Sequence, residues 1–152
     1  AQLARAIDAA GAVIFLYGQL GAGKTTLTRG FLHALGFAGK VKSPTYTLVE
    51  SYEINERMVF HCDFYRLETA NELNEIGIQE YFTSSSICLI EWPEKGLPLL
   101  PQPDLSCYLS FADKGRNIQL LAHSEEGEEI LQRLMLRRLR SPLSRKRERG
   151  RG

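Results

Sequence analysis

The chain has 152 residues, of which 43% are apolar and 24% charged, with a formal net charge of +1. Those values describe one globular domain large enough for its own core, and no apolar run reaches the roughly 18–20 residues that span a bilayer. The charge is uneven: residues 137–152 carry eight Lys/Arg and one acid, the remaining 136 residues eleven Lys/Arg against seventeen acids.

Residues 1–10 place Leu3, Ala6, Ile7 and Ala10 on one helical face, with Gly11 at the stop position. Val13-Ile14-Phe15-Leu16-Tyr17 has the length and β-branched or aromatic content of a buried strand. Gly18-Gln19-Leu20-Gly21-Ala22-Gly23-Lys24-Thr25 follows and fits G-x-x-x-x-G-K-[ST]. Its glycines let successive backbone N–H groups turn inward on a phosphate. Lys24 brings a charge to the β- and γ-phosphates, and the Thr25 hydroxyl can ligate Mg²⁺. Leu27, Phe31 and Leu35 then recur every four residues before Gly36, so Thr26 lies in the first turn of a helix whose N-terminus favours anions. Strand, glycine loop and helix come in the order the motif requires, which predicts a nucleoside triphosphate site.

Lys40 to Val49 holds Pro44, an extended turn, and the start of a strand. Ser43 and Thr45 read either as turn hydroxyls or as a switch segment facing a γ-phosphate. Tyr46–Ile54 and Met58–Phe64 predict an antiparallel pair around the turn Asn55-Glu56-Arg57. Asp63 closes the second strand, where a carboxylate can reach Mg²⁺ or a water, or can cap the following turn.

Glu68–Phe82 predicts a helical stretch with a break at Gly77. Ile87-Cys88-Leu89-Ile90-Glu91-Trp92-Pro93 has the form of a Walker B strand, four apolar residues ending in an acid. Trp92 by itself reads as packing at the core edge. Gly96–Pro103 predicts a loop, Leu105–Phe111 and Ile118–Ala122 a hairpin around Asp113-Lys114-Gly115-Arg116, and Glu125–Leu139 an amphipathic helix with acids first and arginines last. Lys114 and Arg116 read either as groups that reach a nucleotide or, the preferred reading, as a solvated hairpin tip. Residues 141–152 lack apolar periodicity and read as a disordered basic tail that binds RNA non-specifically. Cys62, Cys88 and Cys107 show no C-x-x-C spacing, which suits buried thiols in a reducing cytoplasm. No signal peptide is visible, and the three histidines show no metal-ligand spacing with the cysteines.

A GTPase would add N-K-x-D and a D-x-x-G after the loop, and neither occurs. A small-molecule kinase needs an arginine-rich lid, whereas Arg29, Arg57, Arg66 and Arg116 are scattered. A nucleic-acid module would rest on the tail alone, since the acidic body repels phosphates. A compact ATPase acting with a partner protein fits best, with a small P-loop kinase as the alternative.

Four blocks carry a more specific resemblance: Gly18–Thr25, Val41–Leu48, His61–Leu67 and Ile87–Pro93. In order and spacing they resemble the TsaE family, bacterial ATPases of tRNA threonylcarbamoyladenosine biosynthesis. The resemblance implies a three-layer, P-loop NTPase-like α/β domain over residues 1–136, with a mixed, mainly parallel sheet, a β-hairpin extension, and a basic tail over 137–152. It implies ATP and Mg²⁺ as ligands and TsaB and TsaD as partners. Those proteins attach threonylcarbamoyl to adenosine 37 of tRNA, so tRNA itself is engaged only indirectly. Residue by residue, Lys24 and Thr25 would hold phosphate and Mg²⁺, and Glu91 matches the Mg²⁺ acid. Asp63 and Thr45 match residues important for hydrolysis, and Trp92 lies beside the nucleotide. Family members usually begin with a further strand near the adenine, and this sequence opens after it. The arginine-rich run after Leu136 matches nothing in the family.

Overall fold

In the computed structural model, which describes residues 1–7 and 10–139, the elements are α1 (Gln2–Ala6), β1 (Ala12–Tyr17), α2 (Lys24–Ala34), β2 (Val49–Ile54), β3 (Arg57–Asp63), α3 (Asn71–Glu75), β4 (Ile87–Glu91), β5 (Leu105–Phe111), β6 (Arg116–Ala122) and α4 (Glu125–Leu139). The strands form one sheet in the order β2-β3-β4-β1-β5-β6. β3, β4, β1 and β5 are parallel, while β2 and β6 pair antiparallel at the edges. The composition explains the split. β4 is buried at every residue, as a central parallel strand must be, whereas β6 is largely exposed. Of the basic tail expected over 137–152, residues 137–139 end α4 and residues 140–152 lie outside the described residues.

Strand periodicity sends alternate residues to two cores. Ile14, Leu16, Val59, Ile87 and Leu89 meet Phe31 and Leu32 of α2 and Ile130 of α4. Phe15, Phe60, Cys62, Cys88 and Ile90 meet Leu73 of α3 and Ile78 on the opposite face. The three-layer, mainly parallel α/β architecture is therefore present. Asp104 ties β1 and β5 to α4: its carboxylate accepts from Val13 N–H at 2.8 Å and from the Ser124 hydroxyl at 2.7 Å. Ser124 Oγ accepts from Gly127 N–H at 3.0 Å, capping the helix.

Several local expectations change. Tyr46–Leu48 is a turn, closed by Leu48 N–H on the Pro44 carbonyl at 2.9 Å, and Leu48 has φ 66°. Asn55 and Glu56, with φ 51° and 64°, make a two-residue hairpin turn, so Arg57 already belongs to β3. The stretch 68–82 divides at Gly77 (φ 69°) into α3 and a 3₁₀ turn, Ile78–Tyr81. Glu72 accepts from the N–H groups of Glu68 and Thr69, both at 2.8 Å, which holds those residues outside the helix. The loop after β4 contains two further 3₁₀ turns. All three cysteines are buried and unpaired, and burial pushes the Cys88 and Cys107 thiols up to about 12. Among the described residues no helix is long and apolar enough to cross a membrane.

Candidate functional site

Parallel strands end on the same side of the sheet, so β1, β3 and β4 deliver their last residues to one edge. β1 feeds the loop Gly18–Gly23, which enters α2 at Lys24. Gly23 precedes the helix with φ 105°, a conformation a side chain would strain. At Gly18 a Cβ would stand 2.8 Å from the Leu109 carbonyl oxygen, so β5 leaves no room for one.

Lys24 is 4% exposed. Its Nζ donates to the carbonyls of Gly18 and, at 3.1 Å, Gln19, and lies 4.3 Å from the centroid of the Trp92 ring. Burial lowers the Lys24 ammonium from its ordinary value, while Glu91, Asp63 and Glu94 pull it back up. Thr25 Oγ1 donates between the two Glu91 oxygens, at 3.2 and 3.1 Å. That contact brings two residues 66 positions apart to the same point.

Asp63 and Glu91 are register partners at the ends of β3 and β4. Both are buried. Asp63 Oδ1 accepts from Tyr65 N–H at 3.0 Å. Burial pushes the Asp63 carboxyl above its usual value and Glu91 adds to the rise, while the Tyr65 N–H, His61 and Lys24 oppose it. A cleft of about 390 Å³ gathers Leu20, Gly21, Gly23, Lys24, Thr25, Thr26, Thr45, Asp63, Glu91 and Trp92 with Tyr65 and Arg66. Gly18, Gln19 and Ala22 form the loop behind it. Thr45 reaches the cleft with its hydroxyl bonded to Ser43 at 2.7 Å. Trp92 has φ 55° and packs its ring against Tyr65, centroids 5.1 Å apart. It is thus a cleft residue on the face that carries Lys24.

Three residues play parts that local reading did not assign. His61 is fully buried, with Nε2 2.5 Å from Glu91 Oε2. Its position in a strand two before Asp63 was the available signal, since alternate residues share a face. Arg116 is not confined to a solvated tip: Nε donates to the Ala22 carbonyl at 3.1 Å, and its guanidinium lies 4.4 Å from the Phe111 ring. It grips the loop from the β5–β6 side, where Thr26, Leu109 and Ile118 border a second cleft of about 370 Å³. Arg66 stands at the cleft, 4.5 Å from the Tyr46 ring.

Thr25 and Glu91 are the residues that could hold a metal ion. Among the described residues no three His, Cys, Asp or Glu side chains cluster as ligands. One hydroxyl and one buried carboxylate in contact, beside a glycine-rich loop, suit a hard ion that keeps waters and shares phosphate oxygens.

A glycine loop between the first sheet strand and a helix, faced by acids from the next two parallel strands, defines an α/β domain of the phosphate-loop class. The TsaE family model, "Threonylcarbamoyl adenosine biosynthesis protein TsaE", matches residues 1–118. The chain belongs to that family. A protein of Haemophilus influenzae named "tRNA threonylcarbamoyladenosine biosynthesis protein TsaE" is 51% identical over 119 residues, 78% of this chain and 75% of that protein. A Bacillus subtilis protein of the same name is 37% identical over 135 residues, covering 88% and 84%. The crystal structure of Bacillus subtilis YdiB superposes with a TM-score of 0.74 at 31% identity, over 90% of this chain and 84% of that one.

Proposed function

We propose that this chain is the ATP-binding and ATP-hydrolysing component of the machinery that forms threonylcarbamoyladenosine in tRNA, acting with TsaB and TsaD in the cytoplasm. The observation that carries the reading is the Thr25–Glu91 contact, which closes the helix after the phosphate loop onto a strand-end acid. The names of the relatives supply the pathway.

In this reading the loop amides cradle the phosphates, and Lys24 exchanges the Gly18 and Gln19 carbonyls for β- and γ-phosphate oxygens. Thr25 and Glu91 hold Mg²⁺, which supplies positive charge to the phosphate oxygens. Asp63, whose carboxylate burial makes more basic, orients a water on the γ-phosphorus and takes its proton as the bond to the ADP oxygen breaks. Thr45 approaches the γ-phosphate, and Trp92 lines the wall beside Lys24.

The test is a Mg²⁺ titration of ATP binding and turnover. Glu91→Gln should need a higher Mg²⁺ concentration, with nucleotide affinity in chelator little altered. An unchanged titration in Glu91→Gln together with a shifted one in Asp63→Asn would reverse the two acids. Turnover that depends on an added small-molecule phosphate acceptor would identify a kinase instead.

A further inference from the structure

His61 has no task in the proposed reaction, and its setting is unusual. It sits in β3 between Phe60 and Cys62, and strand alternation puts it on the α2 face with Val59. An apolar side chain would fill such a place without desolvating a polar ring. His61 is 0% exposed, and its Nδ1 has no hydrogen-bond partner among the described residues. Among the described residues its polar contact is Nε2 to Glu91 Oε2 at 2.5 Å. The contact is diagonal across the strands: His61 is in register with Leu89, and Asp63 with Glu91.

We propose that His61 is a positioning residue that holds the Glu91 carboxylate in its metal-binding orientation through a hydrogen bond from Nε2. The inference rests on the reading of Glu91 as a Mg²⁺ ligand. A glutamate has three side-chain torsions, and two other groups compete for this one. Lys24 attracts it toward the loop, and Asp63, its register partner, repels it. Thr25 engages both carboxylate oxygens from the α2 side and leaves the headgroup free to rotate between them. The bond from the sheet beneath removes that freedom, because a strand-held imidazole cannot follow a swinging carboxylate. The contact needs hydrogen on Nε2 to donate to the carboxylate, and Nδ1, the other ring nitrogen, is the atom with no partner among the described residues. Hydrogen-bond partners of metal-ligating groups act in this way, and losing one weakens metal affinity by roughly 10–100-fold.

The experiment compares wild type with His61→Leu, His61→Gln and Glu91→Gln. Each is saturated with ADP and titrated with Mn²⁺, free metal being read by electron paramagnetic resonance. ADP affinity is measured separately in chelator. His61→Leu should weaken Mn²⁺ roughly 10–100-fold while ADP affinity in chelator holds. His61→Gln, whose amide N–H can reach where Nε2 stood, should recover most of the loss. Wild-type Mn²⁺ affinity in His61→Leu, beside a loss in Glu91→Gln, overturns the inference and spares the metal reading. Wild-type affinity in Glu91→Gln overturns both. Should His61→Leu fail to fold, the wild-type protein decides through its two-bond ¹H–¹⁵N imidazole spectrum. Hydrogen on Nε2 supports the bond, and hydrogen on Nδ1 alone overturns it.

Discussion

Lys24 and Trp92 show how much of this site depends on one residue touching another. The chain has a single tryptophan, and the Lys24 ammonium lies over its ring. When Lys24 moves to a phosphate that cation leaves the indole, so ADP or ATP should change Trp92 fluorescence in a saturable way. Lys24→Ala should abolish the change and cost roughly 1.5–3 kcal/mol of binding, the worth of a charge-assisted contact. A folded Lys24→Ala protein with wild-type affinity by calorimetry would refute the role. Asp63 makes a prediction of opposite kind, about stability. Burial raises its pKa above 3.8, so the folded chain keeps this proton to higher pH than the unfolded chain does. The ionised form therefore subtracts stability above the raised pKa, and the penalty disappears below 3.8, where both states are protonated. Asp63→Asn keeps an oxygen for the Tyr65 N–H. It should raise the melting temperature at neutral pH, with the gain shrinking as pH falls toward 3.8. A melting temperature that falls at neutral pH would show that Lys24 and His61 outweigh burial.

The elements differ in how far local chemistry explains them. The β2–β3 hairpin turns on two non-glycine residues at positive φ, Asn55 and Glu56, each adopting a conformation that costs an L-residue roughly 1–2 kcal/mol. Glu56 is exposed and remote from the cleft. Glu56→Gly creates the favoured Asn-Gly pair and should stabilise the fold by about 1 kcal/mol, read as a higher urea midpoint at unchanged slope. No gain would mean that the carboxylate makes compensating contacts in the folded chain. At the other end of the sheet, β6 earns its place through Arg116, which joins an exposed edge strand to the phosphate loop. Residues 44–48 form a turn and not a strand, because the Pro44 carbonyl and Leu48 N–H close on each other before a ladder can begin.

For the molecule as a whole, the acids, the loop and the helix start are held by the sheet, while the groups facing solvent are held by little. The Thr45 hydroxyl is bonded to its neighbour Ser43, and Arg66 rests on the 81%-exposed ring of Tyr46. Segments tied so locally are ordered by whatever binds over them. The chain alone should hydrolyse ATP slowly and turn over at least about tenfold faster with the TsaB–TsaD pair, a modest part of the roughly 10³–10⁵ that an ordered arginine supplies in related enzymes. Steady-state assays with and without the pair measure it, and equal rates would refute partner activation.

The phosphate loop, the strand before it, the helix after it and the acid ending β4 were legible in the chain because each is local. Spacing, glycine placement and apolar runs act over a few residues, and their consequences do not wait on the rest of the fold. The buried thiols were legible for the same reason, since two of the three cysteines sit inside apolar runs. Tertiary structure alone decided which of the separated groups meet. Register between β3 and β4 sets Asp63 beside Glu91, and the parallel order β3-β4-β1 brings that acid to Thr25. His61 and Arg116 reach their partners across 30 and 94 residues. Pairing across such distances is set by how strands align and by which face each side chain takes, quantities that exist only once the sheet has formed.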